Sequence, residues 1–558
     1  MNPRGKAALS ISYLSLAVGV YAAHATESVW PYLPLTVIIS ILALAGLVFS
    51  QQRASLPAVL VVIMGVGLSY RVLAFVIPES LIGNDPSAFG VQSQLIADTG
   101  SISGITLGFY GDAAIYATFL GENILLLDLP ADTVQAVIPI AAAVILPLTA
   151  AAVAGRLSPT RRTSLIAALI VVLFAPTIQF AIRPIPLFYS GLVFSTFTLV
   201  LISYHNATRR RYLFIFGVLT TVLIVSHKIA VLIAFVVCVT LLAADRGPRQ
   251  PFDASSSRPI YTLTELLSIG LAIQWLFLTT YVVDALIRIA SILGVETVVI
   301  ADRATAVPFS PSTTYTLIGN GYVFATLGIG GLVWLYLIIF HDHPPTTRLL
   351  GVVAVTVGIA LPGFVFSAAG GFTRTAIFSA VPVCVLLAVG YGRVTSSRGT
   401  VVTGVATFLI AVVLVSQLFA VGAAPDYRDS PRQYLTAGEV EAKHFATDRY
   451  SGTVYMDAQY GHTVLDFEAA AASGDSKYQT TVPSEFRDEL LTTALTNGTL
   501  VDDGYEAVLL RDPGVYRMDD GRWILTWDPA AEMAAQPEYS QTYNNGAAKL
   551  FIKDTGEG

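Results

Sequence analysis

The sequence predicts an all-α polytopic membrane bundle of about thirteen transmembrane helices, carrying a small α/β extracellular domain at its C-terminal end. Three observations predict it. Only 13% of the 558 residues are charged, 54% are hydrophobic and the mean hydropathy is +0.66, whereas soluble domains are roughly a quarter charged. Apolar runs of about the 17–25 residues that cross bilayer hydrocarbon recur along positions 1–424. From Pro425 the composition changes: residues 425–558 hold 11 basic and 23 acidic side chains, a net charge of −12, while the membrane part nets +6.

The first run, 8–23, follows Arg4 and Lys6, and Ala23-His24-Ala25 resembles a signal-peptidase site. We read it as a retained signal-anchor helix; cleavage there would leave the remaining topology unchanged. Further spans are expected at 31–49, 56–77, 131–154, 164–182, 186–204, 212–226, 229–244, 264–283, 315–340, 349–367, 375–392 and 400–421, the seventh and eighth being short. Helices are the expected element because unpaired backbone groups cannot face lipid. The run 113–127 is also apolar, but Asp112 and Glu122 mark it as a re-entrant or interfacial helix.

Charge then fixes orientation. With the N-terminus inside, cytoplasmic segments hold fifteen basic residues, from Arg4 to Arg398, and external loops hold Arg183, Lys228, Arg288, Arg303 and Arg374. This is the positive-inside asymmetry of a multi-pass cell-membrane protein. It places the loop 78–112 and the domain 425–558 outside. In that domain Gly452–Met456 and Ala507–Leu510 read as strands, Val464–Ala472 as a helix, and Asn544-Asn545-Gly546 as a hairpin turn before Ala548–Ile552.

The external loop opens with Gly83-Asn84-Asp85-Pro86-Ser87-Ala88-Phe89. Two readings of Asp85 stand. An Asp before a Pro is a good helix start, with the carboxylate capping free N–H groups, and Ser87–Thr99 would then be an amphipathic helix on the outer membrane surface. Alternatively, a carboxylate at the lipid–water boundary deprotonates an incoming hydroxyl, in a reaction whose donor is anchored in the bilayer. The exceptions to the charge bias are the second clue. Arg183 lies in a short turn, His227-Lys228 joins two helices, Arg374 follows Gly370-Gly371-Phe372-Thr373, and Arg71 lies near the outer end of the third span. Each can snorkel to the interface; together they make a site for a lipid phosphate.

Other patterns carry less. Gly328-Ile329-Gly330-Gly331 reads as a close helix contact rather than a nucleotide loop. Arg209-Arg210-Arg211 is a lipid-facing topogenic cluster, so no nucleic-acid partner is implied. Cys238 and Cys384 lie inside apolar runs, and His341-Asp342-His343 sits in a turn before two prolines; neither set makes a metal site. Asn206-Ala207-Thr208 and Asn497-Gly498-Thr499 match the glycosylation sequon, the second within the external domain. No cytoplasmic nucleotide loop is visible, so an external transferase would take a polyprenyl-phosphate-linked donor.

The loop "GNDPSAFGVQSQLIADTGSI", the helix-joining Ser226-His227-Lys228, the Gly370–Arg374 stretch and the acidic tail resemble the GT-C superfamily of integral membrane glycosyltransferases. Two extra spans before the loop are a departure from the pattern. The acidic tail and the lack of disulfides resemble haloarchaeal dolichyl-phosphate-mannose-dependent mannosyltransferases. The resemblance implies an inverting transfer of one sugar, mannose, from dolichyl phosphate to a glycan or glycoprotein acceptor such as an S-layer glycoprotein, needing no cofactor. Asp85 would be the general base; Arg183, His227, Lys228, Arg374 and Arg71 would bind the donor, and Asp112 would position the acceptor. Three alternatives stay open. An oligosaccharyltransferase of the same superfamily carries Trp-Trp-Asp-X-Gly, which Trp523–Pro529 matches only loosely; a flippase for lipid-linked sugars would need mid-span charges and internal repeats. A receptor or assembly factor would act through its tail alone.

Overall fold

The computed structural model describes residues 3–26, 40, 56–102, 114–203, 209–245, 254–278, 306–308, 313–340, 343–366, 370–397, 399–418, 420, 434–457, 460–461, 463–472, 491, 494–495, 497–511 and 523–554. Helices α1 (Pro3–Ala25) and α2 (Leu56–Val76) pack together and lead to α3 (Asn84–Thr99), α4 (Ile115–Leu127) and the single turn α5 (Ala131–Val134). Then α6 (Val137–Leu157) runs away from this end, and α7 (Arg161–Leu173) with α8 (Ala175–Ala181) returns to it. The up-and-down path continues through α9 (Pro186–Ser203), α10 (Arg209–Ser226), α11 (Lys228–Asp245) and α12 (Ala254–Ile273), which ends in a π-helical turn, Gln274–Leu278. It closes with α13 (Thr313–Phe340), α14 (Pro344–Phe366), α15 (Gly370–Ser397) and α16 (Thr400–Leu418).

Among the described residues nine helices are long and apolar enough to cross a membrane, and α7 with α8 makes one more path, bent by 50°. The expected span 31–49 lies outside the described residues apart from Ser40; each of the other twelve coincides with a helix in its described part. Burial ranks these helices. The apolar stretch of α15 is 89% buried within the protein, against 22% in α13 and α16, so α15 is the central post and the other two face outward. Small residues let neighbours reach it: a Cβ on Gly390 would fall 2.2 Å from Val333 Cγ1, and one on Gly392 would fall 2.6 Å from Thr163 Oγ1. The glycines of Gly328–Gly331 do the opposite of what their pattern predicts. A Cβ on Gly328, Gly330 or Gly331 meets nothing within 4 Å, so they make no close helix contact.

The C-terminal part has its own core around Leu435, Met456, Leu509 and Phe551. Its sheet has the order β2-β3-β6-β5, built from Val454–Tyr455, Ala507–Arg511, Ala548–Lys553 and Tyr539–Asn544. Strands β2 and β3 are parallel, and the other pairs antiparallel. The β5–β6 hairpin turns at Asn545-Gly546, where Gly546 takes φ 85, a conformation cheap only for glycine. Helix α17 (Ala437–Arg449) starts with a capping box between Thr436 and Glu439, and α18 (Phe467–Ala472) and α19 (Pro529–Ala534) complete the layer. Two features tie this part to the bundle: β1 (Ala306–Pro308), from the connection between α12 and α13, pairs with β4 (Trp523–Leu525), and α18 packs on α3.

That second contact changes the expected place of α3. Rather than lying on the surface, it has Pro86 to Gln94 consecutively buried, polar Ser87, Gln92, Ser93 and Gln94 included. The C-terminal part covers one side while α4 and α5 pack on it from the bundle.

Candidate functional site

Helix α3 begins two residues before the Asp–Pro pair predicts. The cap position is Gly83, at φ 83, with no side-chain cap hydrogen bond, and Asp85 stands in the first turn. The capping reading of Asp85 therefore gives way to a first-turn carboxylate, a placement that the helix dipole favours. Pro86 follows where an N–H would have no intrahelical partner, and its carbonyl accepts from Gln135 Nε2 at 3.0 Å. The carboxylate is exposed at the head of a segment otherwise buried.

Three of the expected residues, His227, Lys228 and Arg374, come together where α10 closes and α15 begins. His227 joins α10 to α11, and its Nδ1 accepts the Ile229 N–H at 3.1 Å, capping α11. Burial first, then the charges of Lys228 and Arg374, push its pKa down to about 3. Residues 146 positions apart in sequence thus act on one imidazole. His227 is neutral, with its proton on Nε2, so it belongs to the group as a hydrogen-bond donor and not as a cation. The turn is held from α12: Trp275 Nε1 donates to the Lys228 carbonyl at 3.1 Å, and Gln274 Nε2 donates to the Ile224 carbonyl. The π-helical turn supplies both donors, a common use of such turns. Arg374 is exposed on the first turns of α15, and Lys228 is half-buried. Arg183 is half-buried in the turn between α8 and α9, at the end of α9 that neighbours the close of α10.

Arg71 is placed differently. It is fully buried, and its guanidinium serves the break between α7 and α8. Nη1 donates to the Val172 carbonyl at 2.8 Å, and Nη2 to Thr177 Oγ1 at 2.9 Å. On the other side Gln417 Oε1, from α16, accepts the Ala175 N–H at 3.0 Å, and Gln417 Nε2 donates to Thr326 Oγ1 at 2.9 Å. A broken helix leaves backbone groups that must be satisfied away from water; Arg71 and Gln417 satisfy them. Gly67 permits the approach, since a Cβ there would fall 2.3 Å from Val172 Cγ2. Arg71 is therefore a staple of the bundle. Pro176 was the readable signal for this break, because proline disfavours helix before it and starts one well.

Asp112 lies outside the described residues, as do His341 and Asp342. Among the described residues no group of three or more His, Cys, Asp or Glu could hold a metal ion. Trp527 and Asp528, the loose match to the oligosaccharyltransferase signature, are occupied locally. Trp527 Nε1 donates to the Leu495 carbonyl at 3.2 Å, and Asp528 Oδ1 caps α19 by accepting from Ala530 N at 3.0 Å and Ala531 N at 3.2 Å.

A membrane-type helical bundle bearing a small C-terminal sheet is a fold that this chain shares with a solved archaeal oligosaccharyltransferase. The oligosaccharyltransferase of Archaeoglobus fulgidus in its apo form superimposes with a TM-score of 0.53 at 13% identity, over 82% of this chain and 70% of that one. In complex with zinc and sulfate it gives 0.50 at 14%, over 81% and 68%. ArnT from Cupriavidus metallidurans in the apo state gives 0.47 at 10%, over 88% and 97%. No protein-family model matches the chain, and no curated protein matches it.

Proposed function

We propose that the chain is a membrane glycosyltransferase that moves a single mannose from a dolichyl-phosphate donor to a surface glycan, on the external face and with inversion. What carries the reading is the exposed Asp85 carboxylate at the head of a buried helix, at the same end of the bundle as Lys228 and Arg374, whose charges help keep His227 neutral. The basic-residue asymmetry puts this end outside.

The chemistry follows from these groups. Asp85 removes the proton from an acceptor hydroxyl as its oxygen attacks the anomeric carbon, on the face opposite the phosphate. The bond from that carbon to the phosphate oxygen breaks, and dolichyl phosphate leaves with the electron pair. Lys228, Arg374 and Arg183 offset its negative charge, and His227 Nε2–H donates a hydrogen bond without adding a repelling positive charge. Asp112 positions the acceptor. One base and one stabilised leaving group suffice, so no covalent enzyme intermediate forms.

The oligosaccharyltransferase reading shares the fold, but here Trp527 and Asp528 are engaged in holding α19 and residue 495. The deciding experiment is mass spectrometry of surface and dolichol-linked glycans in a strain deleted for this chain, complemented with wild type or Asp85→Asn. Loss of one terminal hexose, accumulation of its dolichyl-phosphate donor and rescue by wild type alone are expected. Rescue by Asp85→Asn refutes the base, and loss of all protein-bound glycan with intact lipid-linked chains points to an oligosaccharyltransferase or flippase.

A further inference from the structure

Helix α3 is held along its length by two separate parts of the molecule. From the bundle come Gln135, on the Pro86 carbonyl, and the ring of Tyr116, edge-on to Phe89 at 5.4 Å. From the C-terminal part come Tyr460, Gly461 and residues 463–467. The Val464 N–H donates to Ser87 Oγ at 3.5 Å. The Phe467 ring fills the space above Gly90, where a Cβ would fall 2.4 Å from Phe467 Cε1. A third tie lies before α3, where the Leu435 N–H donates to Ser80 Oγ at 2.8 Å.

The stretch that reaches α3 is itself fixed by a buried cation. Lys443 is fully buried on α17, and its ammonium donates to the Tyr460 carbonyl and, at 2.7 Å, to the Thr463 carbonyl. Burying an ammonium is costly unless its donors are well placed. This one is spent on two backbone carbonyls three residues apart, which sets the course of the chain just before Val464 and Phe467. Tyr460 is pinned further by its hydroxyl, which donates to the Glu439 carbonyl at 3.1 Å.

We infer that the stretch 463–467, set by Lys443, is a positioning strap that holds the Asp85 helix in its reactive placement, so that the C-terminal part serves the transfer step itself. The inference rests on the proposed role of Asp85. It assigns Phe467 and Lys443 a role in turnover, separate from recognition of the donor lipid. A carboxylate displaced by about 1 Å loses on the order of a hundredfold in rate, so slackening the strap lowers kcat and leaves the KM for the donor unchanged.

The test uses the full chain in vesicles, with radiolabelled dolichyl-phosphate mannose as donor and lipid-linked glycan extracted from the deletion strain as acceptor. Gly90→Ala drives a methyl group into the Phe467 ring, its closest neighbour at 2.4 Å, and against Gln135 Nε2 at 3.0 Å, and so lifts the strap. It is expected to lower kcat about ten- to a hundredfold with the donor KM within about twofold, while hydrogen exchange rises at 463–467. Phe467→Leu in the Gly90→Ala background makes room for the methyl and is expected to restore kcat to within a few-fold, which a general loss of folding would not allow. Wild-type kcat in Gly90→Ala, or an equal loss in the single and double variants, overturns the inference. Asp85→Asn run alongside separates the two readings. If it is inactive while Gly90→Ala is normal, only the strap fails; if it is active, the base assignment fails and the strap with it.

Discussion

Arg511→Met in the C-terminal part should open its sheet, and the cost can be worked from the charges around it. Arg511 Nε and Nη2 donate to the two oxygens of Asp457 at 2.8 and 2.6 Å, and its Nη1 lies 3.8 Å from Glu439 Oε1. Arg511, Asp457, Glu439 and Lys443 are 2%, 4%, 1% and 0% exposed. Two cations and two anions close to a net charge of zero in a space that water does not reach. Methionine keeps the apolar length of the side chain, leaves a net of −1, and strips Asp457 of two charge-assisted hydrogen bonds. Breaking a buried pair in this way costs about 3–5 kcal/mol. Asp457→Asn alone leaves a net of +1 and is expected to cost a comparable amount. The double variant returns the set to neutrality, so its cost should fall below the sum of the single costs by about 2 kcal/mol or more. Hydrogen exchange at β3 and β6, whose residues pair from Ala507–Ile552 to Arg511–Ala548, reads the opening free energy directly. Additive costs, or an Arg511→Met variant within about 1 kcal/mol of wild type, would refute the closed charge set.

Three further outcomes are expected. Arg374→Ala should raise the KM for dolichyl-phosphate mannose more than that for the acceptor, read by initial rates at varied donor and acceptor; equal losses would make Arg374 structural. His227 has a folded pKa of about 3 against an ordinary 6.5, so the unfolded chain binds a proton that the native chain refuses. The stability this gives is present above about pH 6.5 and declines by about 1.4 kcal/mol per unit as pH falls toward 3. Melting curves between pH 7 and 5 should be flatter in His227→Gln than in wild type. Gly67→Ala should cost about 1–3 kcal/mol by wedging α2 from Val172 and should lower the melting temperature, whereas the outward-facing Gly328→Ala should not.

The helices were legible because most apolar runs had the length of a bilayer crossing and little else to be, although those of α10 and α11 are shorter. The helices of the bundle follow from that, and the hairpin follows separately from the turn residues Asn544-Asn545-Gly546. What composition does not carry is which surface covers which. Ser87–Thr99 reads as an amphipathic surface helix, but a distant stretch, Val464–Phe467, lies over its first half and buries polar residues there as well. Arg71 reads as one more basic residue near a membrane boundary, since its partners lie 101 and 106 positions away. His227 reads as a cation until Lys228 and Arg374 are seen to share its space. Gln417, Gln135 and Gln274 gave no signal at all, because a lone amide in an apolar run acquires meaning only from the backbone group it meets.

The broken path of α7 and α8 also orders events during synthesis. Arg71 is already in the bilayer when Val172 emerges, but the Ala175 N–H finds its acceptor on Gln417, 242 residues later. Until α16 inserts, the Ala175 N–H lacks the side-chain acceptor it has in the finished protein. The last of the described membrane helices, α16, thus completes the broken path of α7 and α8, and a nascent chain halted after α15 should remain protease-sensitive at Phe174 where the full chain is not. Quality control that monitors exposed polar backbone within the membrane would find here a built-in signal that the chain is unfinished.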